Sequence, residues 1–590
     1  MLIKNARHPS AIHVARARLD APEAVHDVNA AKKKGLLVAT LAQDASRSVS
    51  EQPSTLRSDG GDRDGTTYER LQQLLPGKSH PSIKAIAALL EEYAAAWQGS
   101  AAFDQLSDGA ASDFFVFRED QTRVWLETLI ATLEKERLLL TSVPPDVLDQ
   151  LASSRPHQVQ DRAWLVMFYS IALSAESSSN DAPDTSTKSK LRSNLWLAFN
   201  DVRLLIEPAV SSIQALLILI CYAEEFMTPS VCWSLVTKAC IMLQALGITH
   251  WRLDSATSNL RSALFWRLNM LDKELALILC RAPAFHREMG HDTPLPTLDK
   301  LLRLQPDRPA DRTGPVLFEA HYTYQMHLLS RVMADAWHSL YGQDSDKIFA
   351  VKESLELWYR QATEVLEAAA LVEKPLLTAN DAVPFDFGLQ TLRFHYLSLL
   401  VLLTVSSKQM RSQSILPSQQ MLNMLPNLGD MVLTQTGPYA CLLWQYIHCP
   451  LTAFGTLWGE IVIKSNANLE QSKQFLEAIE HLPLFLGKLT SRNSLAGKLQ
   501  SITARIVEHA RAILDSQGEA ESSTPTENVP IQEVRLDQQL STNLTSPKNG
   551  LNISSGENFD ALLDDRFTWP NDPFFDTTFD WFAWDNQDLS

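Results

Sequence analysis

Asn200-Asp201 and Glu207 are the nearest this 590-residue sequence comes to an acidic cluster that could hold a divalent cation. Carboxylates on facing helices can hold Mg²⁺, as in terpene-synthase chemistry, because that ion takes oxygen ligands in near-octahedral array. Here Leu204 stands where a hydroxyl ligand is expected, and the Glu register is off by one. The other acidic pair, Asp564-Asp565, falls in a polar tail that cannot line a pocket. No Gly-x-Gly-x-x-Gly, P-loop, Gly-x-Ser-x-Gly or His-Glu-x-x-His pattern occurs. The six cysteines (Cys221, Cys232, Cys240, Cys280, Cys441 and Cys449) form no Cys-x₂-Cys pair and sit in apolar, helical-looking sequence. Reduced core thiols are expected there, rather than metal ligands or disulfides. The expectation is a protein that is not an enzyme, with no cofactor and no metal.

Residues 557–590 carry a different chemistry, that of recognition. Nine Asp/Glu stand against one base, Arg566, and nine aromatics are interleaved with them. A core segment seldom holds that many carboxylates, because burying unpaired charge is costly. A disordered linker seldom holds that many rings. Two readings fit. One is an acidic-aromatic activation segment whose Trp569, Phe575, Phe579, Trp581, Phe582 and Trp584 enter an apolar groove of a coactivator. Phe575, Phe579 and Phe582, at i, i+4 and i+7, would share one face of an induced helix. The other is a tail that docks its rings back onto its own domain.

The elements that would position such groups are helices. Ile213, Leu216, Leu217 and Ile220 follow 3-4-7 spacing. Thr228-Pro229 reads as an N-cap with proline at the first helical position. Leu235, Ala239, Met242 and Leu246 continue to Gly247, a natural stop, which gives a helical hairpin. Leu260, Leu264, Leu268, Leu271, Leu275 and Ile278 form a second seam, which Pro283, Pro294 and Pro296 end. Further helices are expected over 81–97, 119–140, 160–174, 316–341, 347–371, 387–406, 437–462, 468–488 and 492–515. No fixed repeat period is present, and β-type alternation is not evident. The fold class is therefore all-α, an irregular multi-helix domain flanked by disordered segments.

Four stretches follow from composition: a disordered, weakly basic segment over 1–66, a helical domain over 67–515, a Ser/Thr/Asn-rich linker over 516–556, and the acidic tail over 557–590. Within the domain, Ser174 to Lys190 reads as a polar loop. The net charge of −17 gives no global pull toward DNA or an anionic membrane. Lys32-Lys33-Lys34 is either a minimal nuclear-import cluster or a solvated patch. Lys4, Arg7, Arg16 and Arg18, with no acid in the first 19 residues, give a faint mitochondrial-presequence pattern instead. No secretory signal is seen, and the apolar runs around 216–221 and 397–404 are short of bilayer length, so a soluble protein without membrane contact is expected.

The segment Arg261-Ser-Ala-Leu-Phe265-Trp266-Arg-Leu-Asn-Met-Leu-Asp272, running on to Arg281-Ala-Pro283, resembles the hallmark stretch of the fungal-specific transcription factor domain. Upstream, Ser212 to Leu216 and the Ala239…Leu246-Gly247-Ile248-Thr249-His250 stretch resemble that family's hairpin. Downstream, Asp292-Thr-Pro294-Leu-Pro296 resembles its acidic-proline exit. Three positions depart from the pattern: Asn269 replaces an aromatic, Cys280 replaces Gly, and Ala282 lies between Arg281 and Pro283. The resemblance implies a nuclear regulator of transcription, an activator of a metabolic gene set that includes secondary-metabolite biosynthesis, with a helical body that forms homo- or heterodimers. Its alternative is a non-DNA-binding co-regulator, adaptor or small-molecule sensor on the same scaffold. Members normally carry a Zn₂Cys₆ cluster, yet no cysteine precedes Cys221 here, so direct DNA binding is in question. Of the motif residues, Phe265 and Trp266 are expected in the core and His250 at a helix end. Arg261 and Asp272, eleven residues apart and so nearly on one helix face, either satisfy neighbouring helix ends or anchor a ligand.

Overall fold

The structure is a computed structural model that describes Ala88, Glu92 and residues 113–136, 143–178, 185–224, 227–248, 254–303, 316–342, 347–376, 383–434, 441–464 and 469–522. The basic N-terminal residues, His250, most of the linker and all six tail aromatics lie outside the described residues. Among the described residues every regular element is helical. In chain order they are α1 (Glu119–Glu136), α2 (Pro145–Ala152), α3 (Arg162–Ser178), α4 (Thr185–Phe199), α5 (Arg203–Ile206), α6 (Val210–Tyr222), α7 (Pro229–Leu246) and α8 (Ser255–Leu279). There follow α9 (Arg287–Asp292), α10 (Leu298–Arg303), α11 (Val316–Tyr341), α12 (Ile348–Glu373), α13 (Val383–Ser406), α14 (Ile415–Thr434), α15 (Leu443–Lys464), α16 (Leu469–Leu489) and α17 (Ser494–Ser522).

Neighbours in sequence are mostly neighbours in space: α6 packs on α7, α7 on α8, α11 on α12, and α12 on α13. Two elements break that pattern and give the fold its centre. Helix α8 touches α7, α11 and α15, and every residue from Leu268 to Leu279 is buried. Helix α15 returns from the C-terminal part to pack on α8, α13, α14, α16 and α17. One continuous apolar cluster results, from Trp125 in α1 to Leu514 in α17.

The expected hairpin forms. Thr228 caps α7 by accepting the Val231 amide at 3.2 Å, and Gly247 ends the helix at φ +80, where a side chain would be strained. Other expectations need correction. The stretch read as a loop over Ser174 to Lys190 is largely helical, since α3 runs to Ser178 and α4 begins at Thr185. Polar residues there form the exposed side of α4, while Leu191, Leu195, Ala198 and Phe199 bury the other. Helix α14 has no counterpart among the expected helices, because Pro426 lies inside it and reads locally as a stop. Helix α17 passes residue 516 and ends at Ser522. Two helices, Pro229–Leu246 and Phe385–Ser406, are long and apolar enough to cross a membrane by length and composition, although neither holds a long uninterrupted apolar run. Here they are core helices that pack on their neighbours.

Candidate functional site

The motif segment occupies α8 and the turn that follows it. Asp254 caps α8, accepting the Thr257 amide at 2.9 Å and its hydroxyl at 2.7 Å, and these bonds hold its carboxyl below the usual carboxylate range. Two turns on, Arg261 reaches back to the end of α7 and donates to the carbonyls of Gly247, at 2.9 Å, and Leu246. A cation at the negative end of a helix, on carbonyls with no intrahelical partner, is favourable. Phe265 and Trp266 are fully buried. Phe265 packs 5.0 Å from Phe285 across the turn. Trp266 donates Nε1–H to the Pro294 carbonyl at 3.2 Å and stacks on His327 of α11 at 5.3 Å. Arg331 lies 5.3 Å from the Trp266 ring and donates to the carbonyls of Gly290 and Thr293, which ties α9 and the proline exit to α11.

Asp272 is the hub of the turn. Its carboxylate accepts the amides of Ala284 at 2.7 Å and Phe285 at 3.0 Å, and it pairs with Lys273 Nζ at 2.8 Å. Lys273 also donates to the Phe285 carbonyl at 2.5 Å. Both side chains are essentially inaccessible, at 0% and 1% exposure, and a pair so deep persists only when the rest of its hydrogen bonds are met, as here. Arg281 sits 4.6 Å over the Trp233 ring of α7, and Pro283 lies half-buried in the turn. Cys280 stands where the motif has glycine and takes the glycine conformation, φ +53, with Sγ 3.2 Å from the Tyr341 hydroxyl. Arg261 and Asp272 therefore do not meet each other: one closes the end of α7 and the other folds the 280–286 turn.

A second polar group lies deeper. Glu274 of α8 has Oε1 3.9 Å from His395 Nδ1 of α13, and His395 Nε2 lies 3.3 Å from Cys441 Sγ. Gln445 of α15 hydrogen-bonds the Glu274 carboxyl and accepts the Leu442 amide at 3.1 Å. Carboxylate, imidazole and thiol in this order could activate a nucleophile in an open site. Burial argues otherwise here, pushing the Cys441 thiol well above its ordinary range, His395 down to about 3 and Glu274 up to about 7. A thiol and an imidazole held neutral out of water have neither the charge nor the access for that chemistry. The group is a polar joint between α8, α13 and α15.

The acidic residues weighed as a cation site do not converge. Asp201 is engaged by Arg203 at 2.6 Å, and among the described residues no group of three or more His, Cys, Asp or Glu could hold a metal ion. The sequence reading missed Lys273, Arg331, His327 and the Glu274–His395–Cys441 group. The one available signal was Asp272-Lys273-Glu274, three charges inside an otherwise apolar helix.

Among the described residues the body is all-helical, and the motif side chains knit helix ends and the 280–286 turn together. Residues 136–414 match the model of the fungal specific transcription factor domain. A transcriptional regulator of Claviceps purpurea is 60% identical over 540 residues, covering 91% of this chain and 87% of that protein. Two uncharacterized transcriptional regulatory proteins of Schizosaccharomyces pombe are 23% identical over 367 residues and 22% identical over 382. The chain spans 60% and 58% of their lengths. The chain belongs to the fungal-specific transcription factor domain family, a family of transcriptional regulators.

Proposed function

We propose that this regulator is a nuclear activator of a metabolic gene set, in which the helical body is the regulatory platform and residues 557–590 recruit coactivators. The observation that carries the reading is the tail's composition: nine carboxylates keep it solvated, while Trp569, Phe575, Phe579, Trp581, Phe582 and Trp584 supply apolar anchors. A metabolic target set, with secondary-metabolite biosynthesis as its narrower form, follows from the family resemblance. A second reading is a co-regulator, adaptor or sensor that reaches promoters through another factor; it is favoured by the net charge of −17, which gives the chain no global pull toward DNA.

The test joins the full chain to a heterologous DNA-binding domain in a reporter assay, beside a variant with those six aromatics changed to Ala. Strong activation that falls to background in the variant supports the activator. Activation that survives the substitutions moves the effector function into the helical body. Silence of the intact fusion favours the sensor or adaptor.

A further inference from the structure

Residues 113–118 precede α1 and are not helical. They lie in a seat built by α1, α3 and α4. Asn194 of α4 is fully buried, and its side chain meets the Phe115 backbone twice: Nδ2 donates to the carbonyl and Oδ1 accepts the amide, each at 2.8 Å. The Tyr169 side chain of α3 hydrogen-bonds Asn194 and so helps to fix that amide. Phe114 stacks on the Tyr169 ring, with 6.2 Å between centroids, and the Arg162 guanidinium lies 4.9 Å over the Phe114 ring. Phe117 meets Trp125 of α1 edge-on at 5.0 Å, while Val116 is 66% exposed. Main-chain bonds of this kind hold a segment whatever its side chains, and the pockets beside them select its sequence. The pattern selected here is a ring, a residue held by its backbone, a solvent-facing residue and a second ring.

The order Asp-aromatic-aromatic-x-aromatic occurs twice in the sequence: Asp113-Phe-Phe-Val-Phe117 in the seat, and Asp580-Trp-Phe-Ala-Trp584 in the acidic tail. We propose that Asp580 to Trp584 is a second occupant of this seat, in exchange with residues 113–117 of the same chain. In that register Trp581 takes the place of Phe114 under Arg162, and Phe582 that of Phe115. Ala583 takes the exposed place of Val116, and Trp584 that of Phe117 against Trp125. Indole suits the first place better than phenyl, since the attraction of a guanidinium to a ring is greatest for Trp. The charges match as well. Helix α4 carries Lys188, Lys190 and Arg192 and no carboxylate, and Arg162 Nη1 is enclosed with no hydrogen-bond partner. The tail brings nine carboxylates against one base. The two patterns part at the next position, Arg118 against Asp585, where Arg118 is 81% exposed and its pairing with Asp120 is worth little. As a flexible chain, the 57 residues 523–579 span about 40 Å. Residues 113–117 keep the advantage of a short tether to α1, so they hold the seat for more of the time and the tail for the remainder. Docking here needs no activator role for the tail.

The test is photocrosslinking in the full chain, with Phe582→p-benzoylphenylalanine as the probe and mass spectrometry to locate the bonds it forms. Crosslinks within one chain to α3 or α4, around Arg162, Tyr169 and Asn194, are expected. Phe114→Ala/Phe117→Ala removes the rings of the resident segment and should raise their yield several-fold. Trp581→Ala/Trp584→Ala removes the tail's rings, leaves the helical body untouched, and should bring the yield to background. Excess synthetic peptide of residues 113–117 should do the same on a chain with no other substitution, and a scrambled peptide should not. This last comparison holds even where Phe114→Ala/Phe117→Ala prevents folding. Absence of crosslinks to α3 and α4 overturns the proposal. So do crosslinks that join two chains, crosslinks confined to other helices, or a yield that neither Trp581→Ala/Trp584→Ala nor the peptide lowers.

Discussion

Glu274 is the residue at which the protein's interior chemistry is most open to measurement. It faces His395, Gln445 and Cys441, with the Arg267 charge nearby, and it is fully enclosed. Burial raises its pKa from 4.5 to about 7. Below pH 4.5 the carboxyl is protonated in folded and unfolded chains alike and makes no contribution. As pH rises from 4.5 to 7 the unfolded chain ionises while the folded chain holds its proton, so stability falls. Above 7 the cost is constant, at up to about 3 kcal/mol. Glu274→Gln keeps the shape and hydrogen-bonding capacity without the ionisation. It should match wild type at pH 4, gain on it steadily through neutrality, and exceed it most at pH 8 in denaturant titrations; parallel profiles would mean that Glu274 is already ionised in the fold. At this scale the sequence was partly legible. Phe265 and Trp266 read as core because two adjacent rings in an apolar seam have nowhere else to go. The Glu274 group was not legible, because Glu274 finds His395 and Cys441 only through α13 and α15, far along the chain. Cys280 was read as a departure from the motif, whereas its backbone keeps the conformation that the motif's glycine serves.

At the scale of elements, a bidentate tie between distant parts is made by the turn between α16 and α17. Arg492 grips Glu224, just past the end of α6, with two bonds of 2.8 Å. Asn493 donates to the Glu224 carbonyl at 2.7 Å and accepts the Leu495 amide at 2.9 Å, which caps α17. The Glu224 and Arg492 side chains are 13% and 27% exposed, and burial raises the pKa of Glu224, so the cation opposite it matters. The pair Arg118–Asp120 has a 2.6 Å contact but is 81% and 66% exposed, where side-chain entropy and solvent cancel most of the gain. Arg492→Ala should therefore cost about 1.5–3 kcal/mol, and Arg118→Ala no more than about 0.5 kcal/mol, in unfolding measured side by side. Equal effects would contradict the assignment of this clamp. The elements themselves were mostly readable, since the amphipathic seams of α7, α8, α11 and α12 appear in their spacing. Helices α4 and α14 were lost for opposite reasons, α4 because its polar exposed side resembles a loop and α14 because Pro426 interrupts the pattern without ending the helix.

For the whole molecule, the folding unit and the family's matched region have different limits. The match ends at residue 414, yet α15 lies against α8 and α13 within the same core, and Trp444 donates Nε1–H to Cys232 Sγ of α7 at 3.0 Å. A chain cut at 414 would leave α8 and α13 with apolar sides, and Glu274 and His395, facing water without α15. Burial is the dominant favourable term in a core, at about 25 cal/mol per Å² of apolar surface, and a domain's net stability is only about 5–15 kcal/mol. Loss of a central helix exceeds that margin. The fragment 66–414 should then be aggregated or molten, with exposed apolar surface that binds a hydrophobic dye, while 66–522 should melt cooperatively. A cooperative melt from 66–414 would make α15 to α17 a separate layer. Comparison of 66–522 with 66–590 decides between the two readings of the acidic tail. If residues 557–590 extend to a partner, 66–522 and 66–590 should melt at the same temperature. If the tail's rings dock on its own helices, 66–590 should melt higher, and the six alanine substitutions should erase the difference.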